Sequence, residues 1–114
     1  MTLCTLFICS KNKWRSPTAE KIFRRHEGVA TRSAGTNSGA RRQVSVADVQ
    51  WADVIFVMEE KHLSRMRSDF RRDMENKTVY VLDIPDDYQF MDPELIELLH
   101  EVVTPLIETA GLID

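Results

Sequence analysis

The apolar runs of this chain are short, and each gives way to a stretch with helical spacing. Leu3-Cys4-Thr5-Leu6-Phe7-Ile8 is the first run, Val29–Ser33 the second, Val54–Met58 the third and Thr78–Leu82 the fourth. A strand with one wet face alternates apolar and polar residues, whereas a nearly continuous apolar run belongs to a strand covered on both faces. Between the runs, the spacing predicts helices over Pro17–His26, with Ala19, Ile22 and Phe23 on one face, over Ser45–Trp51, capped by Ser45, and over Glu60–Arg67. Asp92 caps a long last helix with Pro93 at its first position, and Leu95, Leu98, Leu99, Val102 and Leu106 keep three-to-four spacing. Pro105 either kinks that helix or opens a final turn capped by Thr104. The fold class implied is α/β, a small doubly wound four-stranded parallel sheet flanked by helices. With 114 residues, no repeat and no linker, residues 1–114 read as a single domain.

Ligands of such sheets gather at the carboxyl ends of the strands. That rule sets the loop after Ile8, Gly35-Thr36, the segment after Met58 and Pro85–Tyr88 along one edge. The first of these, Cys9-Ser10-Lys11-Asn12-Lys13-Trp14-Arg15-Ser16, carries the most chemistry. It leads into Pro17-Thr18-Ala19-Glu20, which reads as a helix start with Ser16 as the cap and Pro17 at the first helical position. A strand–loop–helix turn aims successive backbone N–H groups and the positive helix end into one bowl, which suits phosphate. Helix N-termini and neighbouring arginines favour the thiolate form of a cysteine, the form that acts as nucleophile. Arg15, six positions on, can close over the anion with two parallel hydrogen bonds. The net charge of −3 gives no general attraction for a nucleic-acid polymer or an anionic membrane. Attraction for phosphate is therefore local, from Lys11, Lys13 and Arg15.

Cys4 and Cys9 share one strand run, which separates them by about 16 Å, well beyond the ~7 Å reach of a disulfide. Cys9 is expected as a free thiol. No apolar stretch approaches the roughly 20 residues of a membrane span, and the N-terminus lacks the pattern of a secretory leader, so a cytoplasmic location is expected. His26, His62 and His100 lack the spacing with cysteines or carboxylates that marks a metal site. They read as surface or satisfied helix residues, and no metal or cofactor is implied. Arg65–Arg72, balanced by Asp69 and Asp73, reads as a charged outer face.

With these residues in view, the chain resembles the low-molecular-weight protein tyrosine phosphatase family. The resemblance rests on Cys9 to Arg15 with Asn12 inside the loop, on Arg15–Glu20, on Ser33-Ala34-Gly35-Thr36, on Trp51–Met58 and on Ile84-Pro85-Asp86-Asp87-Tyr88. The blocks fall in family order and span most of the chain. They imply the phosphotyrosine phosphatase I-like fold and three catalytic residues. Cys9 would form a cysteinyl-phosphate, Arg15 and the amides of residues 10 to 15 would bind the phosphoryl oxygens, and Asp86 would act as general acid and then base. Asn12, Ser16 and Ser33 would hold the loop in shape, with the Ser16 hydroxyl also stabilising the thiolate. Ser10, Lys11, Lys13 and Trp14 would line the site, Tyr88 would form one wall of the cleft, and Asp87 stands beside the acid.

Departures from the family pattern are also informative. Trp14 replaces the usual second cysteine, which removes the protective disulfide and leaves Cys9 open to overoxidation. Asp87 replaces the usual proline, Gln89 replaces a second tyrosine, and only three residues separate Thr36 from Ala40. The expected function is a metal-free phosphohydrolase, nominally a protein tyrosine phosphatase acting on a phosphorylated protein or a small phosphorylated molecule. One alternative is a phosphodiesterase or phosphatase of small nucleotides such as 2′,3′-cyclic nucleotides, with Trp14 stacking on a base and Arg41 or Arg42 on a remote group. Another is a non-catalytic phosphate-binding module. The sequence does not specify an oligomeric state.

Overall fold

The computed structural model describes residues 2–113, with side chains through residue 110. Its four strands, β1 (Leu3–Cys9), β2 (Val29–Gly35), β3 (Val54–Val57) and β4 (Thr78–Val81), form one parallel sheet in the order β2-β1-β3-β4. The doubly wound α/β expectation therefore holds. The two inner strands explain the continuous apolar runs. In β1, Phe7 and Cys9 face one layer while Leu6 and Ile8 face the other; in β3, Val54 and Phe56 oppose Ile55 and Val57. Helices α1 (Arg15–Phe23) and α5 (Pro93–Ile113) cover the first face. Helices α2 (Val46–Trp51), α3 (Glu60–Asp69) and α4 (Arg71–Met74) cover the second.

Register aligns an aromatic row beneath α1 and α5. Phe7 pairs with Phe56 and Phe56 with Tyr80, at ring separations of 5.3 and 5.6 Å, and Phe23 of α1 stacks on Phe7 at 5.7 Å. Burying such a ring stabilises the fold by about 1.5–3 kcal/mol. The row fixes how α1 sits on β1, and so fixes the turn between them. β2 lies on one side of β1 and β3 on the other. The loop after Cys9 therefore opens at the point where strand order reverses, the crevice favoured for ligands in this architecture.

Several boundaries differ from expectation. α1 begins at Arg15, and its cap position is Trp14 with no side-chain cap bond, so Ser16 is not the cap. The Ser16 hydroxyl is directed to the site instead, and the helix stops at Phe23 rather than His26. α4 was not expected, since its four residues read as part of a charged stretch, yet Met74 anchors it in the core. α2 starts as expected, with Ser45 in a capping box with Asp48. Burial alone would raise the Asp48 carboxyl, but the Ser45 N–H and Arg42 outweigh it and hold the group below its usual range. Asp92 Oδ1 accepts from the Glu94 N–H, and α5 runs unbroken past Pro105, so no second cap forms at Thr104. Among the described residues, no helix is long and apolar enough to cross a membrane.

Candidate active site

The loop from Ser10 to Trp14 leaves the end of β1 and turns into α1, and four of its five carbonyls point outward to partners. Ser10 O accepts from Asn37 N (3.0 Å), Lys11 O from Arg41 N (2.9 Å), Asn12 O from Arg41 Nε (2.9 Å), and Trp14 O from Thr18 N and Oγ1. A trans peptide sets its N–H opposite its carbonyl. The amides of residues 11, 12, 13 and 15 are therefore on the inner side, and none of them has a protein acceptor among the described residues. Converging unpaired amides at a helix start form an anion-binding nest. Within it lies a cavity of about 60 Å³ lined by Cys9, Ser10, Lys11, Lys13, Trp14, Arg15 and Asp86.

Three side chains brace the nest from below. Asn12 has a left-handed backbone (φ 54°) and donates through Nδ2 to Ser16 Oγ and to Ser33 Oγ, each at 2.9 Å. Ser33 Oγ passes its own hydrogen to Glu20 Oε1 at 2.6 Å. Ser16 Oγ, accepting from Asn12, lies 2.9 Å from Cys9 Sγ and 3.5 Å from Ala34 O, and it is the donor to sulfur when Cys9 is a thiolate. Asn12 Oδ1 is buried without a partner. An orphaned oxygen on a left-handed residue is local strain, and such strain persists only where the surroundings over-determine the conformation.

Arg15 is 2% exposed and tied at one edge: Nη1 donates to Glu59 Oε1 (2.5 Å) and to Ile84 O (2.8 Å). Asp86 Oδ1 lies 3.6 Å from Nε. Nη2 has no protein partner among the described residues, which leaves that corner of the guanidinium to a ligand. Burial works against ionisation of Glu59, but Arg15's hydrogen bond and charge prevail and hold its carboxyl below the usual range. Ile84 is placed for its contact by a left-handed turn at Asp83 (φ 54°) and by its own N–H bond to Met58 O.

His62 is the satisfied helix residue rather than the surface one, and it is 1% exposed. Burial first, then the Arg15 charge, push its pKa down to about 4, so the ring is neutral at pH 7. Its Nδ1 accepts from the Glu59 N–H (3.0 Å), which places the ring hydrogen on Nε2, facing Ser10 Oγ at 2.8 Å. The Ser10 hydroxyl hydrogen is then free for an acceptor in the cavity. The sequence does not single out Glu59, and it presents His62 only as a surface or satisfied helix residue, not as part of the site. The only available signal was the strand-end rule, which put the segment after Met58 on the site edge without distinguishing its residues.

The remaining candidates divide. Trp14 is half-buried and lines the cavity, with Lys13 Nζ 5.0 Å over its ring. Tyr88, expected as a wall of the cleft, is half-buried against the core cluster that α5 covers and is not among the residues lining the 60 Å³ cavity. Asp87 is exposed and away from the cavity lining. Arg41 sits on the rim, while Arg42 turns away to Asp48 and Ser33 O. Among the described residues, no three His, Cys, Asp or Glu side chains cluster to hold a metal.

No protein-family model matches the chain, and no curated protein does. Solved structures do. The tyrosine phosphatase Wzb from Escherichia coli K30, in complex with phosphate, aligns with 96% of this chain and 99% of its own at 22% identity and a TM-score of 0.76. A low molecular weight protein tyrosine phosphatase from Streptococcus pyogenes aligns over 95% and 93% at 15% identity and 0.77. The YwlE arginine phosphatase from Geobacillus stearothermophilus aligns over 96% of both chains at 19% identity and 0.70. At these identities the likeness establishes the fold, which is the one the sequence resemblance implied.

Proposed function

We propose that this chain is a cysteine-dependent phosphomonoester hydrolase working through a cysteinyl-phosphate. What carries the reading is the set of inward amides at residues 11, 12, 13 and 15 around Cys9, closed by the pinned Arg15. Cys9 Sγ attacks phosphorus, the S–P bond forms as the P–O bond to the leaving group breaks, and Asp86 gives its proton to the departing oxygen. Asp86 then takes a proton from water. That water attacks phosphorus, the S–P bond breaks, and inorganic phosphate leaves while the Ser16 hydroxyl stabilises the returning thiolate. The amides and Arg15 hold the equatorial oxygens through both steps, where charge develops. Asp86 and not Asp87 fills the acid role, because it is the one facing Arg15 and the cavity.

A phosphorylated protein, nominally phosphotyrosyl, is the substrate this reading favours. Structural relatives described as tyrosine and arginine phosphatases support a protein substrate class. The nucleotide alternative needs an open indole face on Trp14, and Lys13 lies over that ring. The test compares hydrolysis of para-nitrophenyl phosphate, a phosphotyrosine peptide and a 2′,3′-cyclic nucleotide by native protein and Cys9→Ser. Expected are turnover of the first two, loss on the order of 10⁴-fold or more in the variant, and a phosphate adduct on Cys9 after acid quench. Phosphate binding without turnover would replace this reading with the non-catalytic module; preference for the cyclic nucleotide would replace the substrate.

A further inference from the structure

Beside the small cavity runs a second, wider groove of about 420 Å³, and Lys13 lines both. Its floor is the outer face of α1, where Pro17, Glu20, Lys21 and the cap residue Arg24 recur at helical spacing. Arg41 stands at the end near the nest, its Nε fixed on Asn12 O. Phe90, 46% exposed, adds an apolar contact, with Lys21 Nζ 5.6 Å from its ring centroid. The segment carrying it is tied to α1 by the Met91 N–H bond to Thr18 Oγ1 at 2.9 Å.

The charges of this groove are unbalanced. Lys13, Lys21, Arg24 and Arg41 meet no carboxylate within ion-pair distance among the described residues. Arg15, Arg32, Arg42 and Arg65 each do. The one acid present, Glu20, accepts from Ser33 Oγ, and the i, i+4 pair its spacing offers with Arg24 is not formed. A protein of net charge −3 thus keeps four unpaired cations and an exposed aromatic ring next to its phosphate nest. Such a local field attracts an anion and sets register more than it adds raw affinity.

From this arrangement we infer that the groove binds an acidic peptide segment flanking the phosphorylated residue of a protein substrate. The inference deepens the phosphatase reading and rests on it for the seat of the phosphoryl group. A peptide suits the site because the groove continues from the nest along α1, so residues neighbouring the phosphoresidue reach Lys21 and Arg24 while Phe90 receives an apolar side chain. The same chain supplies both the anchor and the acidic flank, and the two contacts reinforce each other through effective concentration.

Two phosphotyrosine peptides, alike except for three flanking Asp/Glu or three flanking Ser/Gln residues, provide the test, with para-nitrophenyl phosphate as a reference too small to enter the groove. The acidic peptide is expected to be favoured about tenfold in kcat/KM, chiefly through KM, as several partly screened pairs would give. That preference is expected to shrink at about 0.5 M salt. In the double variant Lys21→Ala/Arg24→Ala it is expected to fall to about twofold or less, with reference turnover unchanged. Equal rates for the two native-protein reactions, or a preference that survives in the variant, overturn the inference. Tighter competition by a nucleoside triphosphate than by the acidic peptide overturns the peptide assignment. If the reference ester is not hydrolysed, the phosphatase reading falls by itself, and fluorescence anisotropy with labelled peptides then decides the groove. Salt-sensitive binding of the acidic peptide that the double variant weakens supports it, and equal binding of the neutral peptide sinks it.

Discussion

The loops after β1 and β4 face each other across the cavity and are built in opposite ways. In the first, Asn12 and Ser16 are fully buried, four carbonyls are committed outward, and Gly35 lies so close behind that an added Cβ would sit 2.5 Å from Ser10 O and 2.9 Å from Asn12 N. In the second, Ile84 is buried, but Pro85 to Asp87 are exposed, and among the described residues Asp86 is held only by a 3.6 Å contact with Arg15. In the proposed mechanism, the half that would match developing negative charge is the one braced on all sides, as preorganised electrostatic stabilisation requires. The half that would both give and take a proton stands in solvent, where it can exchange with bulk water.

That contrast can be broken from its rigid side first. Gly35→Ala should lower kcat/KM by about 10³-fold or more for every substrate, whatever its leaving group, because backbone rather than a flexible side chain must move. A loss confined to poor leaving groups would show that the nest tolerates displacement. Asp86→Asn should produce the complementary pattern, about 10²-fold slower turnover of phosphotyrosine and little change for an activated ester such as dinitrophenyl phosphate. Asp87→Asn should stay within about threefold on both, and an inverted result would move the acid role to Asp87.

The last effect concerns stability rather than rate. Folded His62 resists protonation until about pH 4, whereas its unfolded value is near 6.5. As pH falls through that window the unfolded chain takes up a proton that the folded one refuses, so stability declines with acid and is flat above pH 7. Between pH 7.5 and 5 the native protein should lose roughly 2 kcal/mol from this group, read by urea unfolding. His62→Gln should show a flatter profile; an identical slope would remove the histidine from the account. Stopping at pH 5 avoids the range where the Glu59 carboxylate, held below its usual value by Arg15, begins to protonate.

Much of this architecture is legible in the sequence, for identifiable reasons. Continuous apolar runs betrayed the strands because both inner strands are sandwiched, and Ser45 and Asp92 announced their helices because capping is local chemistry. The start of α1 misled, since Ser16 and Pro17 make a plausible cap pair, but a buried thiol 2.9 Å away claims the hydroxyl. Tyr88 is set at the cleft by the family resemblance, and which way a loop side chain points depends on packing that spacing does not encode. The place of Glu59 and His62 beside the cavity is hidden for the same reason. Their work is done on Arg15 and Ser10, forty-four and fifty-two positions away in the chain.

The short passage from Thr36 to Arg42 works as a gauge block. Asn37 and Arg41 grip the nest at two fixed points, and Arg42 O takes the Gly35 N–H, so a residue inserted near either grip would shift the other out of step. Gly39, between them, meets nothing within 4 Å of an added Cβ. Any lengthening meant to widen or narrow what the cavity accepts belongs at that tip, where new residues can grow over the mouth without loosening its frame.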